Sequence, residues 1–227
     1  MSDAARIAVL ASGGGSNFQA LVDRFRPVAD REIVGVIASR EGAGVLERAR
    51  RAGVASAVPP AGAAVAPAGA AGGEMTTFLL RTLDEWRSDI VVLAGYMKLV
   101  PEPLVRAYRG RILNIHPALL PSFGGRGMYG ARVHRAVIEA GVRITGATVH
   151  FVDEAYDRGP ILCQWPVPVL AGDTPEAVAA RVLAVEHRIL PAAVEALASG
   201  AVRLEAERRV RWVREWFDTE TFTNREG

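Results

Sequence analysis

The sequence predicts an α/β fold, a mostly parallel twisted sheet flanked by helices. Short continuous apolar runs recur at Arg6–Ala11, Ile33–Ser39 and Ile90–Ala94, as in strands buried on both faces of a parallel sheet. Segments of helical period separate them, so strands and helices alternate with short connections. A glycine-rich turn, Gly13-Gly14-Gly15-Ser16-Asn17, joins the first run to a helical pattern of Phe18, Leu21, Val22 and Phe25 that stops before Pro27. In such sheets ligands sit beyond the carboxyl ends of the strands, so these loops are where chemistry is sought.

The remaining elements follow in order. Gly44–Ala52 reads as a helix and Val54–Val58 as a short third strand. Pro59–Gly73 is almost entirely Ala, Pro, Gly and Val with no period, as in a flexible surface insertion. Glu74–Trp86 resumes a helical pattern, and Gly95-Tyr96-Met97-Lys98-Leu99 closes the strand at Ile90–Ala94. Arg111–Pro121 starts as a strand and ends abruptly at Pro117, which cannot donate to a neighbour. Ser122–Gly130 holds four glycines and reads as a mobile loop, and Val133–Ala140 as a short helix carrying His134. Thr145–Asp153 is a strand with Thr148, His150 and Val152 on one face, followed by the polar loop Asp153–Pro160. Ile161–Val169 is a strand broken by Pro166 and Pro168. A long helix starts with Thr174 as N-cap and Pro175 in its first position, carries the stripe Val178, Val182, Val185, Ile189, and ends at Gly200.

Composition narrows the function classes. The 227 residues suffice for one large domain with a full core, expected over residues 1–205. A formal net charge of +2 without a basic arm gives no reason to expect nucleic acid. The single cysteine, Cys163, excludes an internal disulfide and a thiolate cluster and suits a reducing compartment. No signal-peptide pattern opens the chain, and no apolar run approaches the ~20 residues of a membrane helix. The expectation is a cytoplasmic protein without membrane contact. The four histidines show no ligand spacing, so no metal is expected. Residues 206–227 are Arg- and Trp-rich and carry no chemistry; they read as a docked surface arm.

Three places do carry chemistry. The glycine turn offers backbone N–H groups and a helix dipole to a phosphate, against the plainer alternative of a turn capped by Ser16 or Asn17. It is no dinucleotide or P-loop fingerprint, since Phe18 stands at the third glycine and the lysine is missing. Asn114 and His116 are the two polar side chains where the strand within Arg111–Pro121 ends, and two residues apart they share one side of an extended chain. A carboxamide and an imidazole there suit an oxyanion and a proton transfer; an Asx turn with an exposed histidine is the bland alternative. Glu186 borders an apolar helix stripe, and its carboxylate needs a partner, either Arg181, Arg188 or a ligand.

With these residues in view, the chain resembles the folate-dependent glycinamide ribonucleotide formyltransferase family. The motifs are Gly13–Asn17, Leu93-Ala94-Gly95-Tyr96-Met97, Asn114-Ile115-His116-Pro117-Ala118-Leu119-Leu120-Pro121, Gly146–Val152 and Asp157-Arg158-Gly159-Pro160-Ile161. The resemblance runs from about Arg6 to about Glu205 and implies a Rossmann-like sheet, with a nucleotide-binding half to about residue 110 and a catalytic and folate half from 111. It implies Asn114, His116 and Asp157 as the catalytic trio, supported by Thr148 and His150. Gly14, Gly15, Ser16 and Asn17 would hold the substrate phosphate and Glu186 the ribose. Met97, Lys98, Leu99, Val100, Ile115 and Tyr156 would line the folate pocket. The co-substrate would be 10-formyltetrahydrofolate, with no NAD(P), and a homodimer stays open. Leu183 replaces a polar residue of some members, the Asp loop reads Asp-Arg-Gly-Pro for the usual Asp-Gly-Gly-Pro, and an arginine for the folate tail has no clear match.

The rivals are distinguishable. A formyltetrahydrofolate deformylase shares the trio but needs no phosphate loop, and its extra N-terminal regulatory domain is not expected here. A methionyl-tRNA formyltransferase calls for an RNA-binding domain and a basic surface. A non-catalytic nucleotide module using Arg40 leaves Asn114, His116 and Asp157 without a task.

Overall fold

The computed structural model describes residues 4–63 and 73–213. Most of the Pro59–Gly73 insertion and the end of the tail therefore lie outside the described residues. Seven strands form one sheet: β1 (Ala5–Ala11), β2 (Arg31–Ala38), β3 (Ala55–Ala57), β4 (Ile90–Leu93), β5 (Ile112–His116), β6 (Ile144–Phe151) and β7 (Ile161–Pro168). Their order is β3-β2-β1-β4-β5-β6-β7. Strands β1 to β5 run parallel, whereas β6 and β7 are antiparallel to their neighbours. The sheet is mostly parallel, as the apolar runs predict.

Helices α1 (Ser16–Phe25), α2 (Gly44–Ala52), α5 (Ala131–Glu139) and α6 (Pro175–Ala198) contribute to the core on one face. Helices α3 (Glu74–Glu85) and α4 (Glu102–Ala107) cover the other. The period of two divides each inner strand accordingly: Ile7, Val9 and Ala11 face the first group, Ala8 and Leu10 the second. This two-sided burial is why β1 reads as a continuous apolar run.

Two local expectations change. Pro166 and Pro168 do not break β7, which runs unbroken at the sheet edge. An edge strand has one side that pairs with nothing, so a missing N–H is tolerated there. Helix α4 is absent from the sequence reading because six residues behind Pro101 are too few to display a period. Where caps were readable, they hold: Thr174 Oγ1 accepts the Ala177 N–H at 3.3 Å at the start of α6.

The neighbours β1 and β4 mark the point where strand order reverses, and their outgoing loops are tied together. The Ser12 N–H donates to the Gly95 carbonyl at 3.1 Å, and the Met97 N–H to Ser12 Oγ at 2.9 Å. This is the crevice in which open α/β sheets place their ligands.

Beyond α6 the chain forms a hairpin, β8 (Val202–Leu204) and β9 (Val210–Trp212), joined through a 3₁₀ turn at Ala206–Arg208. Leu204, Val210 and Trp212 pack against the main core. The described start of the predicted tail is therefore a docked hairpin.

Candidate active site

A cleft of about 610 Å³ opens at the carboxyl ends of the strands. It brings Asn17, Asn114, His116, Asp157 and Glu186 onto one surface, although they come from four separate segments of the chain.

Strand β5 ends with Asn114 and His116, on the face opposite Leu113 and Ile115. The antiparallel register puts His150 of β6 across from Asn114, and Thr148 across from His116. His150 Nδ1 lies 2.9 Å from the Phe151 carbonyl, which can only accept, so Nδ1 carries a proton. With the proton on Nδ1, Nε2 accepts from Asn114 Nδ2 at 3.0 Å. One N–H of the carboxamide is thus spent on orientation, leaving the other for the cleft.

Thr148 is fully buried and its hydroxyl is saturated. It donates to the Ala118 carbonyl at 2.6 Å and accepts from the Leu120 N–H at 3.1 Å and Gln164 Nε2 at 3.0 Å. The segment leaving His116 through Pro117 is thereby pinned to β6 and β7. Gln164, which also donates to the Leu120 carbonyl at 2.9 Å, was not singled out by sequence reading.

His116 follows the same logic as His150, with the opposite nitrogen. Its Nε2 donates to the Phe123 carbonyl at 2.8 Å. Nδ1 is left bare, 3.7 Å from Asp157 Oδ2, beyond hydrogen-bond distance. Burial holds the His116 pKa below the usual imidazole value, outweighing the opposite pull of Asp157 and the Phe123 carbonyl. The resting ring is therefore neutral near neutral pH.

Asp157 reaches the site from the loop after β6, in a left-handed conformation with φ 52°. Its Oδ2 accepts the Gly125 N–H at 2.8 Å, and Oδ1 lies 3.7 Å from His150 Nε2. Burial pushes its pKa up, but the neighbouring His150 and His116 imidazoles and the Gly125 N–H outweigh that, and the net shift is downward. An ionised carboxylate and a bare imidazole nitrogen thus face each other on the cleft wall.

At the far end, Asn17 Nδ2 donates to Glu186 Oε2 at 2.6 Å. The partner of this buried carboxylate on the helix stripe is therefore Asn17. Arg181 instead binds Asp173, at 2.8 and 3.0 Å. Burial pushes the Glu186 pKa up to about 7, only partly opposed by the Asn17 bond. Leu183 and Ala179 line the cleft beside it.

Of the predicted phosphate residues Gly14, Gly15, Ser16 and Asn17, only Asn17 lines this cleft. The glycines have other duties. Gly15 has φ 75°, and a Cβ there would lie 2.6 Å from Val45 Cγ2. The Gly13 carbonyl accepts the Val45 N–H at 3.1 Å, and the Gly14 carbonyl accepts Arg48 Nε at 2.7 Å. Helix α1 has neither a side-chain cap nor an acid in its first turn, so its N–H groups stay available to an anion. The capped-turn alternative is not what forms.

The predicted folate residues divide between two cavities. Met97, Ile115 and Tyr156 line the main cleft. Lys98, Leu99, Val100 and again Tyr156 line an adjoining cavity of about 60 Å³. Asn114 and Asp157 line both, so they stand at the junction. Sequence reading missed Tyr96, which also borders both cavities, and left His134 in the main cleft without a role. Tyr96 Oη and His134 Nδ1 are buried without a hydrogen-bond partner among the described residues. The only available sequence signal was a polar tip in an otherwise apolar run.

A model of the formyl transferase family matches residues 5–194. The chain belongs to the formyl transferase family. Among its relatives, phosphoribosylglycinamide formyltransferase of Escherichia coli is 37% identical over 207 residues, covering 91% of this chain and 92% of that protein. The chloroplastic phosphoribosylglycinamide formyltransferase of Arabidopsis thaliana is 42% identical over 207 residues, covering 91% of this chain and 67% of the plant protein. The crystal structure of glycinamide ribonucleotide transformylase 1 from Symbiobacterium toebii has a TM-score of 0.84 and 42% identity, over 94% of this chain and 96% of that one. A formyltetrahydrofolate deformylase from Pseudomonas syringae has a TM-score of 0.80 but 26% identity, with 94% of this chain and 67% of that one covered. Formyl transferases use a formyl-folate co-substrate, and in this member no described helix is long and apolar enough to cross a membrane.

Proposed function

We propose that the chain moves the formyl group of 10-formyltetrahydrofolate to the amine of glycinamide ribonucleotide in purine biosynthesis, with Asn114, His116 and Asp157 as the reacting machinery. The observation that carries this reading is the meeting of those three side chains in the large cleft, where Asn114 and Asp157 also border the small cavity. The ribonucleotide would lie in the large cleft, its ribose hydroxyls toward Glu186 and its phosphate toward the α1 N-terminus. The pteridine end of the folate would reach the small cavity.

The chemistry follows from the groups present. The glycinamide nitrogen attacks the formyl carbon, and negative charge develops on the formyl oxygen. The second Asn114 N–H stabilises that charge, and losing one such donor costs about 3–4 kcal/mol of barrier. The bare Nδ1 of His116 accepts the amine proton, and Asp157 stabilises the imidazolium that forms. As the carbon–N10 bond breaks, that proton passes to N10 and tetrahydrofolate leaves. Burial serves this cycle, because a neutral imidazole is ready to accept a proton.

A formyl-transfer assay with purified protein, glycinamide ribonucleotide and 10-formyltetrahydrofolate tests the reading, with water as competing acceptor. Formylated ribonucleotide formed in step with tetrahydrofolate supports it. Equal folate turnover without the ribonucleotide assigns the deformylase reaction instead. The lone, buried Cys163 suits the reducing cytoplasm as the place of action, which cell fractionation checks.

A further inference from the structure

The loop between β6 and β7 carries Tyr156 and Asp157, and it is gripped from a distant part of the chain. Asp153 Oδ1 accepts the Ala155 N–H at 3.0 Å, closing a local turn. Its second oxygen, Oδ2, accepts Arg208 Nη1 at 2.6 Å. The same guanidinium donates through Nη2 to the Arg158 carbonyl. One side chain thus holds residues on either side of Asp157.

Arg208 is itself held firmly. It ends the 3₁₀ turn of the β8–β9 hairpin, whose Glu205 N–H donates to the Arg209 carbonyl and whose Val213 N–H donates to the Ala201 carbonyl, both at 2.8 Å. Its backbone is left-handed, with φ 63°, and so is that of Asp157 at 52°. Neither is glycine, and such conformations persist only where surrounding contacts impose them. A surface ion pair by itself contributes little, and the Arg109–Glu154 pair on the same loop, with side chains 66% and 40% exposed, is of that kind. The Arg208 grip differs at its acidic end: the Arg208 side chain is 57% exposed, but that of Asp153 is only 12% exposed, and the guanidinium fork joins a carboxylate and a carbonyl at once.

We propose that Arg208 is a positioning residue for formyl transfer: it clasps the loop across Asp153 and Arg158 and so holds Asp157 opposite His116 and Tyr156 against the folate cavity. This rests on the assignment of Asp157 above.

The test compares Arg208→Gly, Arg208→Lys and Asp153→Asn with Asp157→Asn in the full chain. Arg208→Gly relieves the left-handed backbone, so its melting temperature stays near wild type. Its kcat should fall about ten-fold, since displacements on the order of 1 Å are costly at a reacting centre. KM for the folate should rise several-fold, and KM for the ribonucleotide should stay within about two-fold, because Asn17 and Glu186 sit on other elements. The acid limb of the kcat profile should move to lower pH, because the upward pull of Asp157 on His116 weakens as the two separate. Arg208→Lys supplies one contact in place of two and should recover part of the loss. Asp153→Asn keeps the Ala155 turn, should repeat the pattern from the loop side, and should add little to Arg208→Gly in the double variant. Wild-type kinetics in Arg208→Gly and Asp153→Asn, alongside an impaired Asp157→Asn, overturn the clasp. Full turnover in Asp157→Asn overturns the active-site reading on which it stands.

Discussion

At the end of the cleft proposed to take the ribonucleotide, Asn17 and Glu186 meet in a 2.6 Å hydrogen bond. At the proposed catalytic end, His116 Nδ1 and Asp157 Oδ2 face each other across 3.7 Å with no bond between them. The first end is built on helices α1 and α6, which pack directly on each other, and its geometry is closed before any ligand arrives. The second is built on the β5–β6 junction and two loops. Its outward-facing contacts (Phe123 carbonyl, Gly125 N–H, Phe151 carbonyl) are satisfied, while the inner pair is kept apart. A binding end can be rigid and complete. A reacting end must leave one proton position open, and here burial of His116 and the fixed tautomer keep it open.

The largest effect is expected at the proposed catalytic end. Asn114→Ala should lower kcat by about 10²–10³ with little change in either KM, because the second N–H acts chiefly in the transition state. Near wild-type turnover in steady-state assays would remove Asn114 from the mechanism. Asp157→Asn should cost a comparable factor and shift the pH profile. Wild-type kcat should fall as pH drops through the lowered His116 pKa, since the acceptor nitrogen becomes occupied. Removing the Asp157 charge takes away support for the imidazolium, so the acid limb should move to still lower pH. The Asn114→Ala/Asp157→Asn pair should be less impaired than the product of the single effects.

The glycine loop sharpens the contrast between binding and architecture. Gly15→Ala meets Val45 and a positive φ together, and should destabilise by about 2–4 kcal/mol in denaturant unfolding. Gly14→Ala meets nothing within 4 Å and should leave stability nearly unchanged while raising KM for the ribonucleotide. Equal melting temperatures for the two variants would sink this division.

Glu186→Gln addresses the binding end alone. Loss of the charged acceptor should raise KM for the ribonucleotide about ten-fold or more, with kcat nearly kept. The folded pKa of Glu186, about 7, lies above its ordinary value of 4.5, so the folded state favours the protonated form. Its contribution to stability is full below about 4.5 and is lost as pH rises through about 7. Ligand-free wild type should therefore lose more stability between pH 5 and pH 8 than the Gln variant, as read by thermal unfolding. Parallel curves would show that the carboxylate is ionised throughout.

Thr148→Val should have the smallest effect on chemistry. It strands the Ala118 carbonyl and the Leu120 N–H, at a cost of about 2–3 kcal/mol in unfolding, with both KM values nearly unchanged.

The sequence by itself determined what depends on near neighbours. Apolar runs and helical periods place the strands of the parallel half and helices α1 to α3 within a residue or two, because burial on both faces of β1 and β4 leaves mostly apolar side chains. The spacing of Asn114 and His116, together with Pro117, puts both on one side of a strand end, since strand geometry alternates with a period of two. Thr174 and Pro175 mark the start of α6 through local hydrogen bonding. Tertiary structure decided everything that needed a partner from afar. Glu186 is matched with Asn17, 169 positions earlier, and not with an arginine on its own helix, because α1 and α6 pack side by side. Gly15 is required by Val45 of the next helix, a contact no local pattern encodes. Burial, which exists only once the chain has closed, overrides the Asp157 charge at His116 and keeps the imidazole neutral. Arg208 reaches Asp153 across 55 positions, so a tail that reads as featureless in sequence grips the loop of Asp157 only in the folded chain.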